Sequence, residues 1–212
     1  MMKLSIAIID YGLGNIQSAK KSLEKIVEEN NIKGEVYFVS DYKMLDNSTH
    51  IILPGQGAFQ SCINGLIGLE GMVEELTKQV ISKKKPLLGI CVGMQLLADK
   101  SVENGIHKGL GWIEGSIEKV PNGSLPLPHM GWNDIKKQTE HKILKNISNK
   151  EDFYFVHSYY FKTTNNENII ATTNYGTNFP SIVAKENILG VQFHPEKSSN
   201  SGLKMLTNFI KI

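Results

Sequence analysis

Three residues that follow apolar runs carry a thiol, an imidazole and a carboxylate. Cys91 lies in the pentapeptide Gly89-Ile90-Cys91-Val92-Gly93, and His194 and Glu196 follow the apolar run 188–193 later in the chain. In this order the three side chains supply a nucleophile, a general base and a group that orients the base. The pattern predicts an enzyme with a cysteine nucleophile.

The segment around Cys91 is typical of a nucleophile elbow, in which a strand turns sharply into a helix. Residues Pro86 to Ile90 predict the buried strand, and Met94 to Ala98 predict the helix. Gly89 and Gly93 fit this turn because a Cβ at either position would clash. The helix start would direct backbone N–H groups at the sulfur, which favours the thiolate.

A glycine-containing segment follows the predicted strand His50 to Leu53 and includes Gly55, Gln56 and Gly57. It would lie at the carboxyl edge of the sheet, where ligands of open α/β sheets bind. Its N–H groups and that of Val92 would form an oxyanion hole. An ordinary strand-to-helix turn explains this segment equally well. A phosphate cradle is a weaker alternative because no Lys-Ser/Thr pair follows.

His194 and Glu196 lie two residues apart at a strand end, so their side chains would point to the same side. Glu196 would then accept a hydrogen bond from one ring nitrogen while the other faces Cys91. An isolated His-Pro-Glu is more often a turn with a surface histidine. The preceding buried strand and the elbow at Cys91 favour a triad instead.

The other candidate residues give weaker indications of a catalytic or ligand-binding role. His129 and His157 are expected to be packed or hydrogen-bonded, and Cys62 to be an inert thiol on a helix. No cluster has the spacing of a metal site, so we expect neither metal nor other cofactor. The segment 12–17 partly matches a dinucleotide-binding fingerprint, but Gln17 stands where that motif needs a small residue.

Composition agrees with a single globular domain over residues 1–212. The chain is 41% hydrophobic and 21% charged, with a net charge of +2, which shows no bias toward nucleic acid or membranes. No run approaches the roughly 18 apolar residues of a membrane span, and the start lacks the pattern of a signal peptide. With only two cysteines, we expect a cytoplasmic protein.

Hydrophobic periodicity predicts alternating strands and helices in the first half and mostly strands in the second. We expect an open, mainly parallel sheet with helices on both faces and an antiparallel, strand-rich insertion. The predicted strands and strand-rich regions are 4–9, 35–39, 50–53, 86–90, 111–120 and 152–193. The predicted helices are one capped by Asn15, one over 58–81 with a break at its glycines, and one over 201–212; a turn is predicted at 121–123.

Together these segments resemble the class I (triad) glutamine amidotransferases over nearly the whole chain. The segment Gly89 to Gln95 is common across that family, whereas Pro128 to Asn133, Tyr154 to Tyr160 and His194 to Ser198 are narrower motifs. The resemblance implies hydrolysis of glutamine to glutamate and ammonia without a cofactor.

The resemblance also implies roles for individual residues. Cys91 would attack the side-chain amide, and His194, held by Glu196, would transfer protons. The substrate and the oxyanion would be bound by Gly55, Gln56, Gly57, Val92, Gln95, Ser158 and Tyr159. The family commonly has Val at position 56, but contacts there are mainly through the backbone.

For the narrower motifs, the resemblance implies a heterodimer with a (β/α)₈-barrel cyclase subunit. That partner would use the ammonia to make imidazole glycerol phosphate and aminoimidazole carboxamide ribotide in histidine biosynthesis, with Asn15, Trp132 and Tyr154 at or near the interface. An alternative partner would aminate a sugar for surface polysaccharides. Further alternatives are a self-contained cysteine hydrolase or peptidase and a catalytically silent regulatory subunit.

Overall fold

A central sheet with flanking helices organises the computed structural model, which describes residues 3–121 and 123–212. Asn122 of the predicted turn therefore lies outside the described residues. The strands of this sheet are β1 (Leu4–Ile9), β2 (Gly34–Val39), β3 (His50–Leu53), β4 (Leu87–Ile90), β9 (Lys136–Lys137), β12 (Ile169–Tyr175), β13 (Thr177–Lys185) and β14 (Ile188–Val191). The remaining strands are β5 (Lys100–Ser101), β6 (His107–Lys108), β7 (Gly115–Lys119), β8 (His129–Asp134), β10 (Asp152–His157) and β11 (Tyr159–Thr163).

The central sheet has the strand order β2-β1-β3-β4-β14-β13-β12-β9. Its first five strands are parallel to one another, and β13, β12 and β9 continue it in antiparallel fashion. Every residue of β1, β3, β4 and β14 is buried, as expected for parallel strands covered on both faces. The predicted α/β class with a mainly parallel sheet is confirmed.

The strand-rich half divides into three parts rather than forming one insertion. Besides the antiparallel extension of the central sheet, β8 pairs with β10, and a second sheet has the order β11-β7-β5-β6. Strand β10 also contacts the loop after β14, where the Tyr154 carbonyl accepts from the His194 backbone N–H at 2.9 Å. The strand-rich half therefore lies directly beside the predicted catalytic residues.

The helices are α1 (Ile16–Glu29), α2 (Phe59–Gly68), α3 (Met72–Thr77), α4 (Val92–Gln95) and α5 (Ser199–Phe209). The predicted break within 58–81 falls between α2 and α3, where Gly71 adopts a φ of +69°. A single π-helical turn, Lys78–Ser82, follows α3. The C-terminal helix α5 begins two residues before the predicted start and ends three before the predicted end.

The predicted helix from Met94 to Ala98 is wrong in extent, because α4 is only one turn long. The carbonyls of Leu96, Leu97 and Ala98 accept hydrogen bonds from the backbone of the following loop, 110–113, instead of continuing a helix. Tertiary hydrogen bonds therefore override the local helical preference. No helix among the described residues is long and apolar enough to cross a membrane.

Candidate active site

Cys91 occupies the sharp turn between β4 and α4. Its φ and ψ are 54° and −113°, a left-handed conformation that is rare for a residue with a side chain. The Cys91 N–H donates to the Val191 carbonyl at 2.8 Å, and the Cys91 carbonyl accepts from the Met94 N–H at 3.1 Å. These bonds hold the backbone in its strained form, as a nucleophile elbow requires.

The glycines of the elbow are needed because backbone segments meet without space between them. A Cβ on Gly89 would lie 2.6 Å from the Gly93 carbonyl oxygen, and one on Gly93 would lie 1.8 Å from the Leu53 carbonyl oxygen. Gly55 packs against the same turn, where a Cβ would lie 2.5 Å from the Gly93 nitrogen. The clash expected from the sequence is therefore present at both elbow glycines.

The structure brings Cys91, His194 and Glu196 together at the carboxyl edge of the sheet. His194 and Cys91 both line one cavity, and Cys91 is only 4% exposed. His194 Nδ1 donates to Glu196 Oε1 at 2.9 Å, and both side chains are almost completely buried. Nε2 of His194 forms no conventional hydrogen bond and is thus free for proton transfer.

The protonated form of His194 is favoured by its neighbours. Burial alone would lower the pKa of this imidazole, but the Cys91 sulfur and the Glu196 carboxylate outweigh it and raise the pKa to about 10. An imidazolium that is held by a carboxylate beside a cysteine side chain is the charge arrangement that thiol activation needs.

Asn15 occupies the N-cap position of α1, but its side chain faces this triad. Its side chain makes no cap hydrogen bond, and its Nδ2 instead donates to Glu196 Oε1 at 3.4 Å. The predicted cap position is therefore confirmed, but the side chain bonds the buried carboxylate, a strong acceptor, and not a helix N–H group. Glu196 Oε1 thus receives hydrogen bonds from both His194 and Asn15.

Two buried histidines hold the backbone opposite the elbow. His157 Nδ1 donates to the Tyr159 carbonyl at 2.9 Å, so its Nε2 must accept from His129 Nδ1, also at 2.9 Å. His129 Nε2 then accepts from Asn133 Nδ2 at 3.1 Å. The prediction that both histidines are hydrogen-bonded is confirmed. Burial lowers the pKa of His129 to about 4 and of His157 to about 3, so both are neutral.

The predicted oxyanion segment runs alongside the cavity. The Pro54 carbonyl accepts from the Tyr11 hydroxyl, and the Gln56 carbonyl accepts from the Cys62 thiol at 3.3 Å. Because the C=O and N–H of a trans peptide point in opposite directions, the Gly57 N–H points away from Cys62. Cys62 itself is fully buried on α2, and burial raises the pKa of its thiol, as expected for an inert core cysteine.

The cavity beside Cys91 has a volume of about 320 Å³. Of the predicted substrate and oxyanion residues, Gly55 does not line it, whereas Gln56, Gly57, Val92, Gln95, Ser158 and Tyr159 do. Its lining also includes Glu103, Pro128, Val156 and His157. Glu103 was not predicted as a site residue; its Oε2 accepts from the Phe59 N–H at 2.7 Å, a contact across 44 residues that no local motif signals.

Trp132 and Tyr154, predicted at an interface, form a neighbouring surface pair on β8 and β10. Their rings make an edge-to-face contact with centroids 6.0 Å apart. Trp132 is 55% exposed and the adjacent Met130 is 61% exposed. Asn15 is half-buried beside Glu196. Exposed aromatic and methionine side chains of this kind are enriched in protein interfaces.

Gln192 was missed as a site residue. It is fully buried, and its Nε2 lies 3.8 Å from Cys91 Sγ. An amide within the otherwise apolar run 188–193 was the available signal. Among the described residues, no group of three or more His, Cys, Asp or Glu side chains could hold a metal ion.

Comparisons with known proteins agree with this geometry. The family profile for class-I glutamine amidotransferases matches residues 7–212. The imidazole glycerol phosphate synthase subunit HisH of Rhodospirillum rubrum is 42% identical over 211 residues, covering 98% of this chain and 99% of that protein. Its counterpart from Pelagibacter ubique is 44% identical, covering 99% and 100%.

Solved structures share the fold at lower identity. A structure described as a glutamine amidotransferase has a TM-score of 0.74 and 18% identity, covering 98% of this chain and 99% of that one. A glutamine amidotransferase from Thermotoga maritima has a TM-score of 0.63, also with 18% identity, covering 92% and 77%.

Proposed function

The chain belongs to the class-I glutamine amidotransferases, and we propose that it hydrolyses glutamine to glutamate and ammonia through Cys91, His194 and Glu196. The observation that carries the proposal is the cavity lined by Cys91 and His194, with the buried His194–Glu196 pair at 2.9 Å. The full-length relatives named imidazole glycerol phosphate synthase subunit HisH support glutaminase chemistry in histidine biosynthesis.

The reaction follows from the positions of these groups. Cys91 Sγ, whose proton has passed to His194 Nε2, attacks the side-chain amide carbon of glutamine as a thiolate. The tetrahedral oxyanion collapses to a γ-glutamyl thioester when His194 returns the proton to the departing ammonia. Water activated by His194 then cleaves the thioester, which releases glutamate and restores the thiol. Glu196 holds the imidazole in the orientation that these transfers require.

The cavity lining fits the two ends of glutamine. Gln56, Gly57 and Val92 lie on the elbow side, where the oxyanion develops. Ser158 and Tyr159 lie on the other wall and, with Gln95 at the end of α4, would bind the amino-acid head group. Glu103 adds a carboxylate that is complementary to the α-ammonium group of the substrate.

We further propose that the ammonia passes to a (β/α)₈-barrel cyclase subunit in a cytoplasmic heterodimer. The partner would carry the lyase step and make imidazole glycerol phosphate and aminoimidazole carboxamide ribotide. Trp132, with Met130 beside it and Tyr154 against its ring, supplies the exposed apolar surface for that interface. The relatives are named as subunits, which supports an obligate partner.

Co-expression with the cyclase of the histidine pathway tests this proposal. We expect co-purification and a glutaminase rate that rises when the cyclase is present. Trp132→Ala should weaken the complex about tenfold or more because it removes a central aromatic contact. Ile67→Ala, which removes a side chain that is 61% exposed on α2, is the matched control and should bind normally. The polysaccharide alternative would be favoured by two results together. The chain would form no complex with the cyclase, and it would supply ammonia to a partner that aminates a sugar.

A further inference from the structure

Gln192 lies next to the nucleophile without lining the substrate cavity. The parallel register pairs Ile90 of β4 with Val191 of β14, so the residues that follow, Cys91 and Gln192, emerge side by side at the sheet edge. The Gln192 side chain is fully buried. A buried amide costs free energy unless its polar atoms find partners, so its neighbours indicate what it is there to bind.

A chain of hydrogen bonds fixes which end of the Gln192 amide faces the sulfur. The Tyr159 carbonyl can only accept, so the Gln95 atom 3.0 Å away is its Nε2. That same NH₂ group donates to Gln192 at 3.1 Å, which identifies the contacting Gln192 atom as Oε1. The other end, Nε2 of Gln192, must therefore be the atom that faces Cys91 Sγ at 3.8 Å.

Besides the charged His194, with its partner Glu196, the Cys91 sulfur has a donor on one side and an acceptor on the other. As a thiol it can donate to the Val156 carbonyl, which is 3.8 Å from Sγ. As a thiolate it can no longer donate there, but it accepts more strongly from the Gln192 N–H. The one-turn helix α4 contributes only a small dipole, so a side-chain donor gains importance.

We propose that Gln192 is a dedicated hydrogen-bond donor to the Cys91 sulfur, held in its donating orientation by Gln95 and the Tyr159 carbonyl, and that it favours the thiolate form. This inference rests on the proposed function only in taking Cys91 as the nucleophile. It also links substrate binding to the nucleophile, since Gln95 lines the cavity and contacts Gln192 at the same time.

The pH dependence of Cys91 alkylation tests the proposal on the purified full chain. Peptide mapping by mass spectrometry follows the iodoacetamide reaction of Cys91 between about pH 6 and pH 10. We expect Gln192→Met, which keeps the volume but removes the donor, to move the rate profile upward by roughly one pH unit. In the complex with its partner, kcat for glutamine hydrolysis should fall roughly tenfold and KM should change less, because Gln192 reaches the substrate cavity only through Gln95.

Gln79→Met is the matched control, since Gln79 is also fully buried and its amide bonds Asp46 far from the cavity. Its alkylation profile should match the wild type. If Gln192→Met does not fold, Gln192→Asn takes its place, because the shorter amide withdraws the donor from the sulfur and should shift the profile in the same direction. A profile that coincides with the wild type in a folded Gln192 variant overturns the proposal. The alkylation measurement needs no glutaminase activity, so its failure is distinguishable from failure of the proposed function.

Discussion

Two walls of the same cavity are held in position by different forces. The elbow wall, formed by residues 89–95 with Gly55 against it, is fixed by backbone segments in direct steric contact. The histidine wall, formed by His129, His157 and Tyr159, is fixed by a chain of hydrogen bonds between buried polar groups. Both walls are buried, but only the second contains groups that titrate near neutral pH when exposed.

The two walls should therefore respond to different kinds of substitution. Close backbone packing leaves no space for an added atom. A methyl group added by substitution in the elbow wall must therefore displace either the nucleophile or a strand packed against it. A polar chain tolerates changes of shape but loses its function when a donor is removed or a proton is added. The elbow wall should therefore be sensitive to volume, and the histidine wall to chemistry and pH.

The largest effect is expected for Gly93→Ala in the elbow wall. The added Cβ would lie 1.8 Å from the Leu53 carbonyl oxygen, so β3 and the elbow must separate. We expect the free energy of unfolding to fall by about 4 kcal/mol or more, or no folded protein at all. Gly68→Ala on α2, where a Cβ meets no atom within 4 Å, should change stability by less than about 1 kcal/mol in the same urea titration. Similar stability of the two variants would contradict the steric account.

A smaller effect, measured in catalysis, is expected for His157→Phe in the histidine wall. The ring volume is nearly retained, but the Tyr159 carbonyl loses the N–H donor at 2.9 Å. Because Tyr159 lines the cavity, KM for glutamine should rise about tenfold while the elbow chemistry in kcat changes less. His50→Phe is the control, since His50 is buried on β3 against Phe209 and away from the cavity lining. An unchanged KM for His157→Phe would show that the histidine pair does not position the substrate.

The last effect appears only in acid and concerns stability. Burial lowers the pKa of His129 to about 4 and of His157 to about 3, against about 6.5 in the unfolded chain. The unfolded chain therefore binds more protons below about pH 6.5, and stability falls as the pH decreases from there toward 4. Replacing both histidines by Phe should reduce this loss at about pH 5 by up to about 2 kcal/mol for each histidine.

His50 provides the comparison for the acid measurement, because burial also lowers its pKa to about 4 in the parallel half of the sheet. The urea midpoint at pH 7 and at about pH 5 should change less in the double variant than in His50→Phe. If the double variant loses stability with acid as steeply as the wild type, the histidine pair is not the source of the sensitivity.

The two walls also differ in how far the sequence predicts them. Glycines around a cysteine after an apolar run indicate the elbow because that turn is a local structure, and Gly89, Gly93 and the strand before Cys91 follow from it. Runs of apolar residues likewise predict the parallel strands, because burial on both faces leaves a local pattern. The length of α4 cannot be predicted from the local sequence, because hydrogen bonds from the loop 110–113 determine where the helix ends.

The histidine wall depends on contacts between distant residues. His129 meets His157, 28 residues away, only because β8 pairs with β10 in one particular register. Gln192 reaches Cys91 across 101 residues because β14 is inserted beside β4. Asn15 fits a helix cap locally, but its side chain contacts Glu196, 181 residues away. Strand order and register determine these contacts, and the local sequence pattern predicts neither of them.

The most direct test of the account is Cys91→Ala in the complex with the cyclase partner, with product formation measured from glutamine and from added ammonium salts. Glutamine-dependent synthesis should be abolished while ammonium-dependent synthesis stays at the wild-type rate, because only the release of ammonia requires the thiol. Continued use of glutamine by this variant would contradict the central role of Cys91.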